Sequence, residues 1–295
     1  MGRREEYTPH PKPRQGSGVA VSGISRQPDD HTPDVHSVDA RIGTVSEVPH
    51  VVGRVGRLLR ALSQQAVSGA TTTALARDTG LPRATAHRLL ESLAREGFVD
   101  RDTRSGRWFL GPELYLLGAA ASPRYDLTNE ARGSVHRLAQ ATGESAFFSA
   151  RRGDETVVLL REDGSFPIRS FVLFEGARFP LGVVSAGIAV LAYLPAREID
   201  AYLDAHDLTE QWGPSHSPDA VRARLAATRE HGWSLNPGLI VEGSWGMAAA
   251  VFDSTGSPAW ALTLTGIEPR FRPDRQPELG RLLLEEAHHL SRKAP

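Results

Sequence analysis

Between Pro82 and Leu89 the chain places two guanidinium groups, a hydroxyl and an imidazole at Arg83, Arg88, Thr85 and His87. At helical spacing these four lie on or beside the face opposite Leu89 and Leu93, so they can point outward together. An arginine can pair bidentately with a guanine edge, and the methyl and hydroxyl of a threonine suit thymine or a phosphate. Arg104 and Arg107 follow in DRDTRSGR, where guanidinium groups on a turn suit phosphate or a minor groove and add salt-sensitive affinity. The chemistry expected is recognition of double-stranded DNA. Its bland alternative is a protein-docking helix whose arginines only solvate it.

Such groups need a turn in front of them and a buried stripe behind them. Val51, Val55, Leu58, Leu59 and Leu62 share one helical face, with Arg54, Arg57 and Arg60 elsewhere, which predicts a first helix. Thr71 to Thr73 offer an N-cap for a short second helix in ALARDTG, and Gly80 suits the left-handed residue after its last turn. Pro82 disfavours helix at Leu81 and fits the first turn of a third helix, Arg83 to Glu96. That helix buries Ala86, Leu89, Leu90 and Leu93 and ends at Gly97. Phe98-Val99 and Trp108-Phe109-Leu110 read as two strands joined through Ser105-Gly106. Three helices and a hairpin make a winged helix-turn-helix, which presents its last helix to the major groove.

The absence of cysteine from the 295 residues excludes disulfides, thiolate metal sites and a cysteine nucleophile. From Val51 to Leu110 ten arginines face five acids, while from Gly111 onward the net charge is −5. A basic small unit beside an acidic larger one suits an anionic partner for the first. No apolar run reaches the roughly eighteen residues of a membrane span, and MGRREEYTPHPKPRQG lacks the apolar core of a secretory signal. A cytoplasmic protein without membrane contact is therefore expected. Residues 1–48, rich in proline and without helical or strand period, read as a disordered arm.

Beyond the wing, GPELYLLGAAA reads as a linker helix, and DLTNEARGSVHRLAQATG as another helix with Val135, Leu138 and Ala139 facing inward. SAFFSAR, TVVLLRE, IRSFVLF, MAAAVFD and AWALTLTG read as strands. Helices are predicted over Val184–Tyr193, Ala196–His206, Pro218–His231 and Arg275–Arg292, giving an α+β class rather than a doubly wound sheet. The predicted organisation is an arm at 1–48, a winged helix-turn-helix at 49–110, a linker helix at 111–123 and an α+β sensor-like domain at 124–295.

Enzymatic chemistry finds little footing. GVVSAG has Val183 where a nucleophile elbow needs glycine, and HExxH, P-loop and GxGxxG patterns are absent. His288 and His289 are adjacent on a helix, about 100° apart, and suit no shared metal. Glu144 and Glu242 stand as acids without an identifiable partner. Neither catalysis nor a cofactor is expected.

RVGRLLRALSQ, LARDTGLPRATAHRLLESLAREGFVDRD, SGRWFLGPELYLLG, ATGESAFFSAR, RFPLGVVSAGIAVLAYLP, REHGW and AAVFDSTGSPAWALTLTG occur in the order seen in IclR-type transcriptional regulators, and the chain resembles that family from Val51 to Ser291. The resemblance implies a winged helix-turn-helix on operator DNA, a linker helix and a GAF-like domain that binds a small, often carboxylate-bearing metabolite. It also implies a homodimer or homotetramer acting as repressor or activator. The family's effector pocket carries over to Thr263 and Thr265, two apart on one strand face, and to Val184 and Ser185 at a helix start. Ser185 could instead serve as the N-cap there, and the two threonines could be ordinary strand residues. Where many members have an acid and a cysteine, this chain has Asn236 and Gly246; Gly182 and Ile188 stand for histidine and lysine. The expected pocket is less charged, roomier and flanked by Trp245.

Overall fold

The computed structural model of the chain describes residues 51–121, 126–169 and 172–295; the predicted arm at 1–48 lies outside them. Helices α1 (Val51–Ser63), α2 (Thr72–Thr79) and α3 (Arg83–Arg95) follow the local signals closely. Thr71 Oγ1 accepts from the Ala74 N–H at 3.2 Å, and Gly80 adopts a left-handed φ of 66° with its N–H turned back on the Ala76 and Arg77 carbonyls. The Leu81 N–H closes on the Ala76 carbonyl at 3.0 Å, and Pro82 then starts α3 without costing a hydrogen bond. Leu58, Leu62, Leu75, Ala86, Leu90, Leu93, Val99 and Trp108 form one apolar core. Leu89 is only half-buried beside it.

Strands β1 (Val99–Arg101) and β2 (Trp108–Leu110) pair antiparallel as the wing. Ala70 adds a bridge, exchanging two backbone hydrogen bonds with Trp108 at 2.8 and 3.0 Å. Gly69, with φ 64°, lets the Phe109 ring approach to where a side chain would stand: an added Cβ would lie 2.5 Å from it. Helix α4 (Pro112–Ala121) buries none of its residues, and Tyr115, Leu116 and Leu117 are 78%, 57% and 49% exposed.

After α5 (Asp126–Thr142) comes a six-stranded antiparallel sheet of β3 (Ser145–Arg152), β4 (Glu155–Glu162), β5 (Arg178–Pro180), β6 (Ser234–Pro237), β7 (Ser244–Phe252) and β8 (Pro258–Ile267), in the order β5-β4-β3-β8-β7-β6. Alternate residues supply two cores, as a period of two requires. Phe147, Val158 and Ala261 pack with α6 (Ser185–Leu191), α7 (Ala196–Ala205) and α9 (Pro218–His231). Ala146, Phe148, Leu262 and Leu264 pack on the other face with α5 and α10 (Gln276–Ser291), including the predicted inward residues Val135, Leu138 and Ala139.

Two expectations need correction. IRSFVLF forms no strand among its described residues, Ser170 and Phe171 lying outside them; Ile168 is 58% exposed, and the place beside β4 is taken by Arg178 to Pro180. Apolar composition there serves burial of Leu173 rather than pairing. Glu144 is also not alone: its carboxylate accepts from Arg270 Nε and Arg275 Nη1, both at 2.7 Å. The short helix α8 (Thr209–Trp212) and the β5 and β6 edges carry no period long enough to read from sequence.

Candidate DNA-reading face and ligand pocket

Arg83 and Arg88 project from α3 into solvent, and Thr85 sits half-buried between them. The nearest helical acid, Glu91, is occupied: His87 Nε2 lies 3.6 Å and Arg101 Nη1 3.5 Å from its Oε1. That leaves the two arginines without a carboxylate partner among the described residues, so their charge remains available to an anion. His87 departs from the expected free contact. Its ring meets Trp108 edge-on at 6.4 Å and its side chain is 44% exposed, tying α3 to the wing.

At the wing turn Asp102 Oδ1 accepts from the Arg104 and Ser105 N–H groups at 2.8 and 2.7 Å. The Ser105 bonds, with that from Arg104, hold the Asp102 carboxyl below its ordinary range, and Gly106 supplies the positive φ of 67°. The turn leaves the Arg104 side chain exposed. Arg107 is arranged differently from the expectation. Its Nη1 donates to the Gly69 carbonyl at 2.9 Å and the Ser68 carbonyl at 3.4 Å, bracing the wing against the segment before α2. Arg101, not singled out by sequence, lies over the Trp108 ring at 5.3 Å.

In the C-terminal half, Thr263 and Thr265 share the β8 face under α6, opposite Ala248 and Gly246 on β7. They are 0% and 7% exposed, and neither hydroxyl has a hydrogen-bond partner. Ser149 Oγ, on the same face of β3, is likewise buried and unpartnered. Buried hydroxyls normally find partners, so three unpartnered ones on one face are an exception.

The other predicted pocket residues take structural parts. Asn236 donates through Nδ2 to the Val183 carbonyl at 3.0 Å and accepts from the Leu239 N–H at 3.0 Å, so its amide clasps the loop after β6 to the approach of α6. Val184 bounds α6 without a side-chain cap, and Ser185 is the first helical residue rather than the N-cap. A Cβ on Gly246 would stand 3.1 Å from Ser185 Oγ, so the serine fills the space expected to be open. Gly182 is similarly occupied, by Leu208 Cδ1 at 2.4 Å from an added Cβ. Trp245 packs with the opposite core, as its odd step from Gly246 on β7 demands, and does not flank this face.

The IclR helix-turn-helix domain profile matches residues 51–103, and the profile of the C-terminal domain of bacterial transcriptional regulator IclR matches 119–292. The chain belongs to the IclR family. Among its curated relatives, the HTH-type transcriptional repressor AllR of Klebsiella pneumoniae is 30% identical over 72% of this chain and 78% of its own. The HTH-type transcriptional regulator KipR of Bacillus subtilis is 26% identical over 73% and 86%. An IclR transcriptional regulator from Alicyclobacillus acidocaldarius superposes with a TM-score of 0.69 at 25% identity, over 85% of this chain and all of the other. An IclR homologue from Microbacterium hydrocarbonoxydans, solved in complex with 4-hydroxybenzoate, shares the fold with a TM-score of 0.66 at 23% identity, over 82% and 98%. This IclR-family protein is a transcriptional regulator with a DNA-binding helix-turn-helix. Among its described residues no helix is long and apolar enough to cross a membrane, and no cluster of His, Asp and Glu suits a metal ion.

Proposed function

We propose that this regulator reads operator DNA with Arg83, Arg88 and Thr85 on α3, contacts phosphate with Arg104 at the wing tip, and is switched by a small organic acid bound against Thr263 and Thr265. The observation that carries the DNA contacts is the pair of exposed arginines on α3, left without acids because Glu91 is engaged by His87 and Arg101. His87 and Arg107 position the reading surface from behind. Helix α4 exposes Tyr115, Leu116 and Leu117, an apolar surface that a second copy would cover, so a homodimer presents two α3 helices to successive major grooves. Ligand that favours one arrangement of the two copies shifts operator affinity, and operator shifts ligand affinity equally.

Selected binding sites from random duplexes give the operator, expected as two half-sites about one helical turn apart. Arg83→Ala or Arg88→Ala then loses about 1–3 kcal/mol on that operator, with a smaller loss on unrelated duplex. Equal losses on both sequences would remove these residues from base reading.

The pocket has its own test. Changing both Thr263 and Thr265 to valine removes two unpartnered hydroxyls at nearly constant volume, so the ligand-free protein is expected to be stabilised by about 1 kcal/mol per site. The melting shift produced by 4-hydroxybenzoate or another bound acid disappears in this variant, while operator affinity without ligand is retained. A full ligand shift in the double variant rejects the pocket.

A further inference from the structure

A second group of unpartnered polar atoms lies on a different part of the C-terminal half. Arg224 projects from α9, His216 ends the turn before that helix, and Trp212 closes α8. Four of their nitrogens are buried and lack hydrogen-bond partners: Trp212 Nε1, His216 Nε2, and Arg224 Nε and Nη1. The indole and the two guanidinium nitrogens are donors whatever the protonation state, and His216 Nε2 is one only in the protonated ring, whereas the hydroxyls at Thr263 and Thr265 both donate and accept. His216 Nδ1 already lies 2.9 Å from the Trp212 carbonyl. That contact requires the proton on Nδ1, so in the neutral ring Nε2 is bare, and it becomes a donor when the imidazole is protonated.

Arg224 is the clearest case. Only its Nη2 is used, donating to the Gly182 carbonyl at 3.1 Å and the Ser215 carbonyl at 3.3 Å. No carboxylate pairs with it among the described residues. Burial alone draws the Arg224 guanidinium down to about 10, still cationic at neutral pH, and no acid raises it again. Burial and the Arg224 charge together push His216 below its ordinary value. Arg224 is half-buried as a residue, but its Nε and Nη1 are sealed from solvent, and a desolvated charge with idle donors is costly.

The three side chains belong together spatially. Arg224 holds the Gly182 and Ser215 carbonyls, His216 lies beside the Val183 carbonyl, and the Trp212 ring is 6.4 Å from that of His216 and 5.9 Å from Phe179. Arg224 and His216 meet the segment that leads into α6, and two residues beyond Val183 that segment brings Ser185 Oγ to 3.1 Å from where a Cβ on Gly246 would stand, next to Thr265.

We propose that Arg224, with Trp212, forms the carboxylate-accepting end of the ligand site, its two idle guanidinium donors and the Trp212 indole N–H taking one carboxylate and the Phe179–Trp212 pair bordering the apolar body of the acid. The proposal deepens the ligand-binding reading above and rests on it. One carboxylate supplies the acceptors that Arg224 Nε and Nη1 lack in a charge-assisted pair, and a small organic acid also supplies the apolar surface that a free inorganic anion does not.

The test uses the full-length chain and matched probes: benzoate and 4-hydroxybenzoate, their neutral amides, and acetate, phosphate and sulfate. Thermal shifts are read for the unaltered protein, for Arg224→Gln and for the Thr263→Val/Thr265→Val variant. Expected are a shift with aromatic carboxylates, at least tenfold weaker binding of the amides, and the same weakening of the carboxylates in Arg224→Gln. The indole N–H resonance of Trp212, assigned by its loss in Trp212→Phe, should move downfield with the carboxylate, a readout that survives if Arg224→Gln folds poorly. Equal binding of acid and amide, or an unmoved Trp212 resonance under saturating acid, overturns the proposal while leaving ligand binding at the threonines intact. Shifts with phosphate and sulfate equal to those with benzoate mean a general anion site and overturn the organic-acid assignment. No shift with any carboxylate at millimolar concentration overturns both this proposal and the ligand reading.

Discussion

Trp108→Ala is expected to destabilise the winged helix-turn-helix by about 3–5 kcal/mol and to abolish operator binding with it. The side chain is 1% exposed, and its Nε1 donates to Thr72 Oγ1 at 2.9 Å. Its backbone joins β2 to Ala70, its edge meets His87 on α3, and Arg101 covers its face. One residue therefore connects α2, α3 and the wing, and its loss opens a cavity where the three converge. Trp108→Phe keeps most of the volume and loses the Thr72 bond, so about 1 kcal/mol is expected. Urea unfolding, with amide exchange over residues 51–110, reads the effect directly. An unchanged midpoint in Trp108→Ala, or exchange no faster in this region than elsewhere, would refute that role.

Glu144→Ala is expected to cost about 3 kcal/mol, the lower end for removing one member of a buried ion pair, because Arg270 and Arg275 retain partial access to water. The Glu144 side chain is 1% exposed against 31% and 20% for the two arginines. Both arginines also donate to the Thr142 carbonyl, at 3.0 and 2.7 Å, so this triad fastens the end of α5 and the start of β3 to the segment between β8 and α10. Glycine at 266 is required beside it, since a Cβ there would stand 2.4 Å from Glu144 Oε2. Glu144→Gln, which keeps the shape and removes the charge, should fall between the two. Urea midpoints of the C-terminal half measure the series, and a loss in Glu144→Ala below that in Glu144→Gln would contradict the ion-pair account.

The exposed arginine face of α3 was legible from sequence because its determinants act locally. The Thr71 cap reaches three residues, the Gly80 turn closes on Ala76, and Pro82 restricts its own neighbours. The leucine period did the same for the buried stripe, missing only the half-exposure of Leu89. Thr263 and Thr265 were legible as a same-face pair through strand alternation and the family pattern, yet nothing in that pattern says that their hydroxyls lack partners. Single departures from the family pattern are less legible. A glycine at 246 suggested empty space, which Ser185 fills, and Trp245 suggested a pocket wall, which the sheet turns to its other side.

By itself the sequence determined the helix-turn-helix, the wing, the α+β class and the arginine-bearing face, since caps, turns and periodicity involve groups within a few residues of one another. Only the tertiary structure decided which polar groups are spent and which are free. Arg107 meets Gly69 across 38 positions, Arg224 meets Gly182 across 42, and Arg270 meets Glu144 across 126. A hydrogen bond depends on ångström-scale placement of both partners, and for partners so far apart along the chain that placement is set by how the cores pack rather than by either residue's neighbours.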